Sequence, residues 1–552
     1  MTEQPQKCVS QRGTFENALF FILVMICLVP VWCLSQIPTN DGPAHLYNAY
    51  LLSGWWEKSF PIDRTFFALN PAPVPNWFST LTLALLMRIF SALTAERLLL
   101  TLYVILLPIA FRYTAHSFNC ASRYTYLLGF GFVWNHLFCM GFFNFCFSLV
   151  WYLFLIGFCA RMPKRTGPVQ VVVLMALSAL LYFSNGLSYY LAAATVGLLS
   201  IATLVAEHGS FEWRKSLTPQ LGLLLAVPLS IWFFCLRVRS QTTAPSYWGL
   251  KTIFWSITRF SILVSSFNPI DLKLAELFGM TLLIAAATIC YFRCHRKLVA
   301  SDIFLLTAAL QLILYVVLPE GALGGGAINY RIFLFALATL ALWIAIEPLN
   351  KTAIVLLSGV ATITCIGFVA RNLQRDVTIS AALDQYREVA RYIKPHSSLL
   401  RLQFESYRYA NTLDPGLRYD PFLNASALVA LDRNLVDLDN YETESRNFPV
   451  VYRRGFDPMT IIRKEGPGAH RPLADLAQYE AMTGHTIDYV LLWDVQRWNA
   501  ASPFAKIALD QLSRDYALIY CARDVPLKLY RLRSQLEPSY VTPTCAPKDV
   551  AE

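Results

Sequence analysis

A lone carboxylate, Asp41, stands just after the first long apolar stretch, residues 17–37, within the run PTNDGPAHLYNAY at 38–50. An ionisable group this close to an apolar span is costly to desolvate and calls for a functional explanation. Held partly out of water, a carboxylate can take the proton of an attacking hydroxyl as a general base. His45 falls one helical turn later if a helix starts at Asp41. There it can orient the carboxylate, bind an acceptor or share in proton transfer. The plainer readings are that Asp41 is the N-cap of a helix beginning near Pro43 and that His45 anchors an amphipathic face. Glu57 and Asp63 lie further along and are candidates for a second carboxylate, because the direct neighbours Asn40 and Gly42 are not acidic.

A second set of residues could hold an anion. The glycine-rich segment 319–331, PEGALGGGAINYR, ends on Arg331, which opens the next apolar run. A guanidinium at a helix start opposes the helix dipole, so an anionic partner is expected. Its planar pair of donors suits a phosphate or diphosphate; a salt bridge to Glu320 or Asp41 is the structural alternative. Arg237 and Arg239 are further candidates for phosphate contact. Glu320, Asn329, Tyr330, Asn185 and Asp271 are candidates for substrate contact, being polar groups at the ends of apolar runs. Asn185-Gly186 also reads as the turn of a helical hairpin, and His136 and Asn144 flank a similar turn.

These residues must be positioned by apolar elements. The chain is 56% hydrophobic with only 15% charged residues, a composition foreign to soluble proteins. Apolar runs at 17–37, 98–115, 124–138, 142–160, 168–184, 187–206, 217–236, 275–292, 302–318, 331–348 and 352–370 predict eleven spans of a polytopic membrane protein. The stretch 76–90 is short, and is expected to lie along the interface; if it spans, the count is twelve. Residues 44–60, rich in Tyr and Trp, predict a helix lying in the membrane plane. With eleven spans the basic clusters fall on the cytoplasmic side, with the N-terminus inside and the C-terminus outside. The loop 237–275 resists this, since it is external yet carries Arg237, Arg239, Lys251 and Arg259. Either the count is off by one nearby or these cations meet an anionic lipid head group.

From Arg371 onward the chain changes character. This tail has 23 Lys/Arg and 23 Asp/Glu out of 46 and 36 in all, so the net charge of +10 belongs wholly to residues 1–370. An amphipathic helix at 380–393 and strands at 398–404, 488–493, 517–521 and 527–532 predict an α/β domain, 371–552, after a membrane domain, 1–370. A tail without net positive charge argues against a nucleic-acid partner. Its two cysteines, Cys521 and Cys545, can form a disulfide if it is extracytoplasmic. No CxxC pair, HExxH, phosphate-binding GxxxxGK[ST] or dinucleotide fingerprint is present, which speaks against zinc, redox and ATP-driven chemistry.

The order of these parts resembles GT-C-type membrane glycosyltransferases: one span, an acidic loop with interfacial helices, a helix bundle, then an extracytoplasmic tail. The resemblance covers the architecture of nearly the whole chain, and its sharp motif support lies at Asp41. It implies a membrane all-α bundle with a C-terminal extracytoplasmic α/β domain. The implied reaction moves a sugar from a polyprenyl-phosphate donor to an acceptor glycan, lipid or protein at the outer face, with inversion and Asp41 as base. Its partners would be the lipid-linked donor, membrane lipids and the acceptor. Its implied place is a bacterial inner membrane with a periplasmic tail. Many members carry an adjacent acidic pair in this loop. Asn40 and Gly42 depart from that pattern, so no metal ligands are assigned, no cofactor is expected with certainty and a divalent cation stays an open requirement. The rivals are a non-catalytic GT-C-like protein that binds lipid or glycan, and a transporter of lipid-linked intermediates.

Overall fold

The computed structural model describes residues 4–62, 64–118, 124–162, 167–206, 222–224, 226–240, 244–293, 299–322, 325–403, 408–462, 475–493, 503–538 and 540. The chain divides into two compact units. The first comprises residues 1–33, 73–78 and 97–374; the second comprises 34–72, 79–96 and 375–552.

The first unit is a helix bundle. Among the described residues, six helices in the chain are long and apolar enough to cross a membrane: Phe15–Cys33, Ala92–Ser117, Phe143–Ala160, Pro269–Arg293, Ile328–Ile346 and Lys351–Tyr392. Four shorter apolar helices, Pro168–Ser184, Gly186–Ala202, Val227–Val238 and Ile303–Val317, add to them. The chain is thus an integral membrane protein. Ile328–Ile346 is the most enclosed of the spans, packed along Ile303–Val317. A helix apolar on all sides belongs at the centre of such a bundle.

Two expectations change here and one holds. Residues 124–138 do not form a span; they fold into a 3-10 helix, Thr125–Phe132, and one short turn of α-helix, His136–Cys139. Asn135 starts that turn by accepting a bond from Phe138 N (3.1 Å). Gly129 and Gly131 admit the rings of Phe111 and Phe278, which a Cβ would meet at 2.8 and 2.3 Å. The apolar run therefore reflects burial inside the unit, not contact with lipid. As expected, the stretch 76–90 does not span: it yields only Phe78–Leu86, about 13 Å long. Finally, 352–370 and most of 380–393 are parts of one helix, Lys351–Arg387, because no Pro or Gly interrupts residues 371–379; a 3-10 turn, Glu388–Tyr392, follows it.

Within the first unit, buried Asp271 accepts a bond from Arg371 Nε at 2.6 Å. Removing one partner of a buried ion pair leaves an uncompensated charge. Arg371→Ala is expected to destabilise the protein by about 3–5 kcal/mol, with the double change Asp271→Asn/Arg371→Gln costing much less. Chemical unfolding in detergent micelles measures both.

The second unit joins the first loop to the tail. Its strands are β1 (Phe67–Leu69), β2 (Ser398–Gln403), β3 (Val436–Asp437), β4 (Val450–Tyr452), β5 (Tyr489–Trp493), β6 (Tyr516–Cys521) and β7 (Leu527–Leu532). Five form a mixed sheet in the order β3-β2-β5-β7-β6. β2 runs parallel to β3 and β5, while β7 runs antiparallel to β5 and β6. β2 and β5 are buried along their whole length, as expected of inner strands that read as continuous apolar runs. The other sheet is a two-stranded ribbon in which β1 pairs with β4, Phe67 opposite Tyr452 and Leu69 opposite Val450. Cys521 is disulfide-bonded; Cys545 lies outside the described residues.

Candidate active site

The helix Gly42–Ser53 begins where the sequence suggests, with Pro43 in its first turn. It is not an interfacial helix. Residues 42–49 are all buried, and this face packs on the helices Ser426–Arg433 and Tyr441–Ser445 of the same unit. The small residues Gly42, Ala44 and Ala49 allow that close packing, and the exposed Trp56 lies beyond the helix end.

Asp41 occupies the N-cap position, yet its side chain makes no capping bond. Its carboxylate turns instead to a set of donors. Asn40 Nδ2 donates to Asp41 Oδ1 at 2.6 Å and Asn424 Nδ2 at 3.3 Å, and the Tyr441 hydroxyl also donates to it. The loop is stitched in place by the tail. Asn424 Nδ2 donates to Asn40 O (2.8 Å), Asp420 N to Asn40 Oδ1 (3.2 Å) and Tyr419 OH to Pro38 O (3.2 Å). With its side chain buried in these bonds, Asn424 of the Asn424-Ala425-Ser426 sequon is not open to modification.

Only 8% of Asp41 is exposed. Burial pushes its carboxyl up to about 6, against the opposing pull of the His45 charge and the bonds from Asn40 and Tyr441; Glu442 adds a smaller upward push. One turn on, His45 Nδ1 forms an ion-pair contact with Glu442 Oε1. Asn48 Nδ2 donates to the other oxygen of Glu442, and Asn440 Nδ2 donates to Asn48 Oδ1 at 3.0 Å. The helix thus presents Asp41, His45 and Asn48 to the segment 440–442. Glu442 is fully buried. It is a buried carboxylate beside His45 that the sequence does not announce: nothing in YETES, residues 441–445, marks it. Of the two local candidates for a second carboxylate, Glu57 pairs with Arg88 on the surface, and Asp63 lies outside the described residues.

The other candidates lie in the first unit. The Arg331 guanidinium sits over the rings of Phe142 and Phe145, 4.9 and 5.6 Å from their centroids. Tyr330 packs against His136 and Trp248, with ring centroids 5.2 and 4.7 Å apart. Asn329 Nδ2 donates to Tyr315 O (2.6 Å) and Leu318 O (3.2 Å), locking the end of one helix to the start of the next. Glu320 closes its own loop, accepting from Ala327 N at 3.2 Å, with Ala327 in the left-handed region at φ 56°. Asn185 caps the second helix of its hairpin, accepting from Ser188 N at 3.1 Å. Asp271 is paired with Arg371, as described. Arg237 lies over Phe233, and Arg239 falls on the same helix, with its side chain outside the described residues. Tyr330 and His136 therefore share an aromatic cluster with Trp248, Arg331 rests on Phe142 and Phe145, and Asn185, Asp271 and Glu320 have structural partners. Among the described residues, no group of three His, Cys, Asp or Glu side chains is disposed to hold a metal ion.

The fold is that of the GT-C-type membrane glycosyltransferases. ArnT from Cupriavidus metallidurans, solved bound to undecaprenyl phosphate, is similar with a TM-score of 0.50 at 10% identity, over 94% of this chain and 98% of that one. Arabinofuranosyltransferase AftD from Mycobacteria is similar with a TM-score of 0.50 at 13% identity, over 94% of this chain and 40% of that one. At such identities the likeness is one of fold. No protein-family model and no curated protein matches the chain.

Proposed function

We propose that this protein is a membrane glycosyltransferase that moves a sugar from a polyprenyl-phosphate donor to an acceptor hydroxyl at the extracytoplasmic face. The acceptor is a glycan, a lipid or a protein, and the tail, 371–552, lies on the periplasmic side of a bacterial inner membrane. Asp41 takes the acceptor proton as the anomeric carbon turns electrophilic, and displacement of the lipid phosphate by a single base-assisted attack inverts the anomeric centre. Arg331 meets the donor phosphate. The observation that carries this reading is the Asp41 carboxylate: buried at a helix start, it makes no capping bond and is held by three donors from loop and tail. The fold shared with ArnT, which was solved with a polyprenyl phosphate, supports the donor class.

A base raised to about 6 is mostly ionised at neutral pH yet close enough to it to accept a proton well. The rate of transfer at low substrate is expected to be half-maximal near pH 6 and to fall about tenfold per unit below that. The deciding assay supplies protein in lipid nanodiscs with radiolabelled donors on polyprenyl phosphate and scores a new glycosidic bond. Movement of the labelled lipid across the bilayer without that bond would replace the transferase with a transporter.

A further inference from the structure

The first loop carries one acidic residue at its helix start, and the second comes from the far end of the chain. We propose that Glu442 is a positioning residue: it holds His45 as an imidazolium beside Asp41, so that the tail supplies the charge that keeps the base ionised and oriented. This rests on the reading of Asp41 as the base.

The contacts run in one direction. Glu442 is fully buried, and both of its oxygens face the helix Gly42–Ser53, one on His45 Nδ1 and the other on Asn48 Nδ2. A buried carboxylate needs a cation or several donors, and His45 is the titratable group in contact with it on that helix. The backbone around Glu442 is built to aim it: Asn440 Oδ1 accepts from Glu442 N at 3.2 Å, while Asn440 Nδ2 holds Asn48 at 3.0 Å. The His45 ring is further fixed by Phe448, 5.8 Å between centroids. His45 N donates to Asp41 O at 3.1 Å, the backbone bond of the first helical turn, which sets the two residues one turn apart.

Other groups around the pair are accounted for. Tyr441 donates to Asp41, and Glu444 follows on the same short helix. Further along Gly42–Ser53, Tyr47 OH accepts from Asp437 N at 3.0 Å, and Tyr50 OH donates to Asn434 Oδ1 at 2.8 Å. On the helix Ser426–Arg433, Asp432 is taken by Arg387 and Arg433 donates to Ala390 O. Two opposing effects follow from removing Glu442. Its own negative charge no longer raises Asp41, a small gain. The loss of the His45 cation removes the largest charge favouring ionised Asp41, and this dominates.

The test reads His45 without turnover. Protein with 15N-labelled histidine in nanodiscs, with His45 assigned by His45→Gln, is titrated from pH 5 to 9. An imidazolium pattern at pH 7.5 in the wild type, replaced by a neutral ring in Glu442→Gln, is the expected result. A neutral His45 in the wild type, or an imidazolium that survives Glu442→Gln, overturns the proposal. The second reading is the pH profile of transfer: Glu442→Gln should move the acid limb up by at least one unit, and Glu442→Asp should bring it back. A lowered rate with an unmoved limb means that Glu442 only holds the fold, and overturns the proposal. Should Glu442→Gln not fold, the wild-type titration and the Glu442→Asp profile decide it. The resonance needs no donor, so a wild type that transfers no sugar fails the transferase reading separately.

Discussion

Asp41→Asn should lower sugar transfer by roughly 100- to 10,000-fold, the range a positioned general base contributes, and should do so without unfolding the protein. The side chains are nearly the same size, and the Asp41 carboxylate makes no capping bond that the helix would lose. Stability gives an independent check with a definite sign. A carboxyl raised from 3.8 to about 6 in the folded state binds its proton more tightly there than in the unfolded chain. Below pH 3.8 it is protonated in both states and contributes nothing. As pH rises through this interval the folded state loses stability, and above 6 the full cost, about 3 kcal/mol, is present. Asp41→Asn removes that cost but leaves a side-chain NH2 facing donors from Asn40, Asn424 and Tyr441. The variant should therefore melt at or above the wild-type temperature at pH 7.5, with its advantage shrinking toward pH 4. Loss of activity together with a large drop in melting temperature would reduce Asp41 to a structural residue.

Arg331→Met is expected to raise KM for the lipid-linked donor by about 30- to 1,000-fold, the cost of removing a charge-assisted partner of about 2–4 kcal/mol. Methionine keeps a long apolar stem against Phe142 and Phe145, which the guanidinium now covers. Arg331→Lys retains the charge but not the two-pronged geometry, and should fall between the two. Donor titration at saturating acceptor separates KM from kcat. An unchanged KM with a lowered melting temperature would assign Arg331 to its aromatic cluster alone.

What could be read from the sequence follows the range of the signals. The strands β2, β5, β6 and β7 were legible to within a residue or so, because each is a local apolar or alternating run bounded by breakers. β1, β3 and β4 are two or three residues long, too short to carry a period, and they exist only because a distant partner completes them. The helix at Gly42 was legible from Pro43, but its environment was not. Aromatic and apolar residues suit a membrane interface and a buried packing surface equally, and only tertiary contact separates the two. The same ambiguity misassigned 124–138 as a span. In the site, Asp41 and His45 stood out because they are local and oddly placed. Glu442 lies 394 residues from Asn48, and no local pattern announces such a pairing.

The ribbon of β1 with β4, and the bond from Asn424 to Asp41 across 383 residues, put a clock on biosynthesis. At 5–20 residues per second the ribosome needs about 20–80 s to make the segment between those two partners. Throughout that interval the first loop has been made, but its carboxylate has neither the donors nor the buried surroundings that the tail provides. A nascent chain therefore carries an ordinary surface aspartate. The buried, donor-held carboxylate arises only when the last third has been made and has packed on the loop, so a prematurely terminated chain lacks that arrangement.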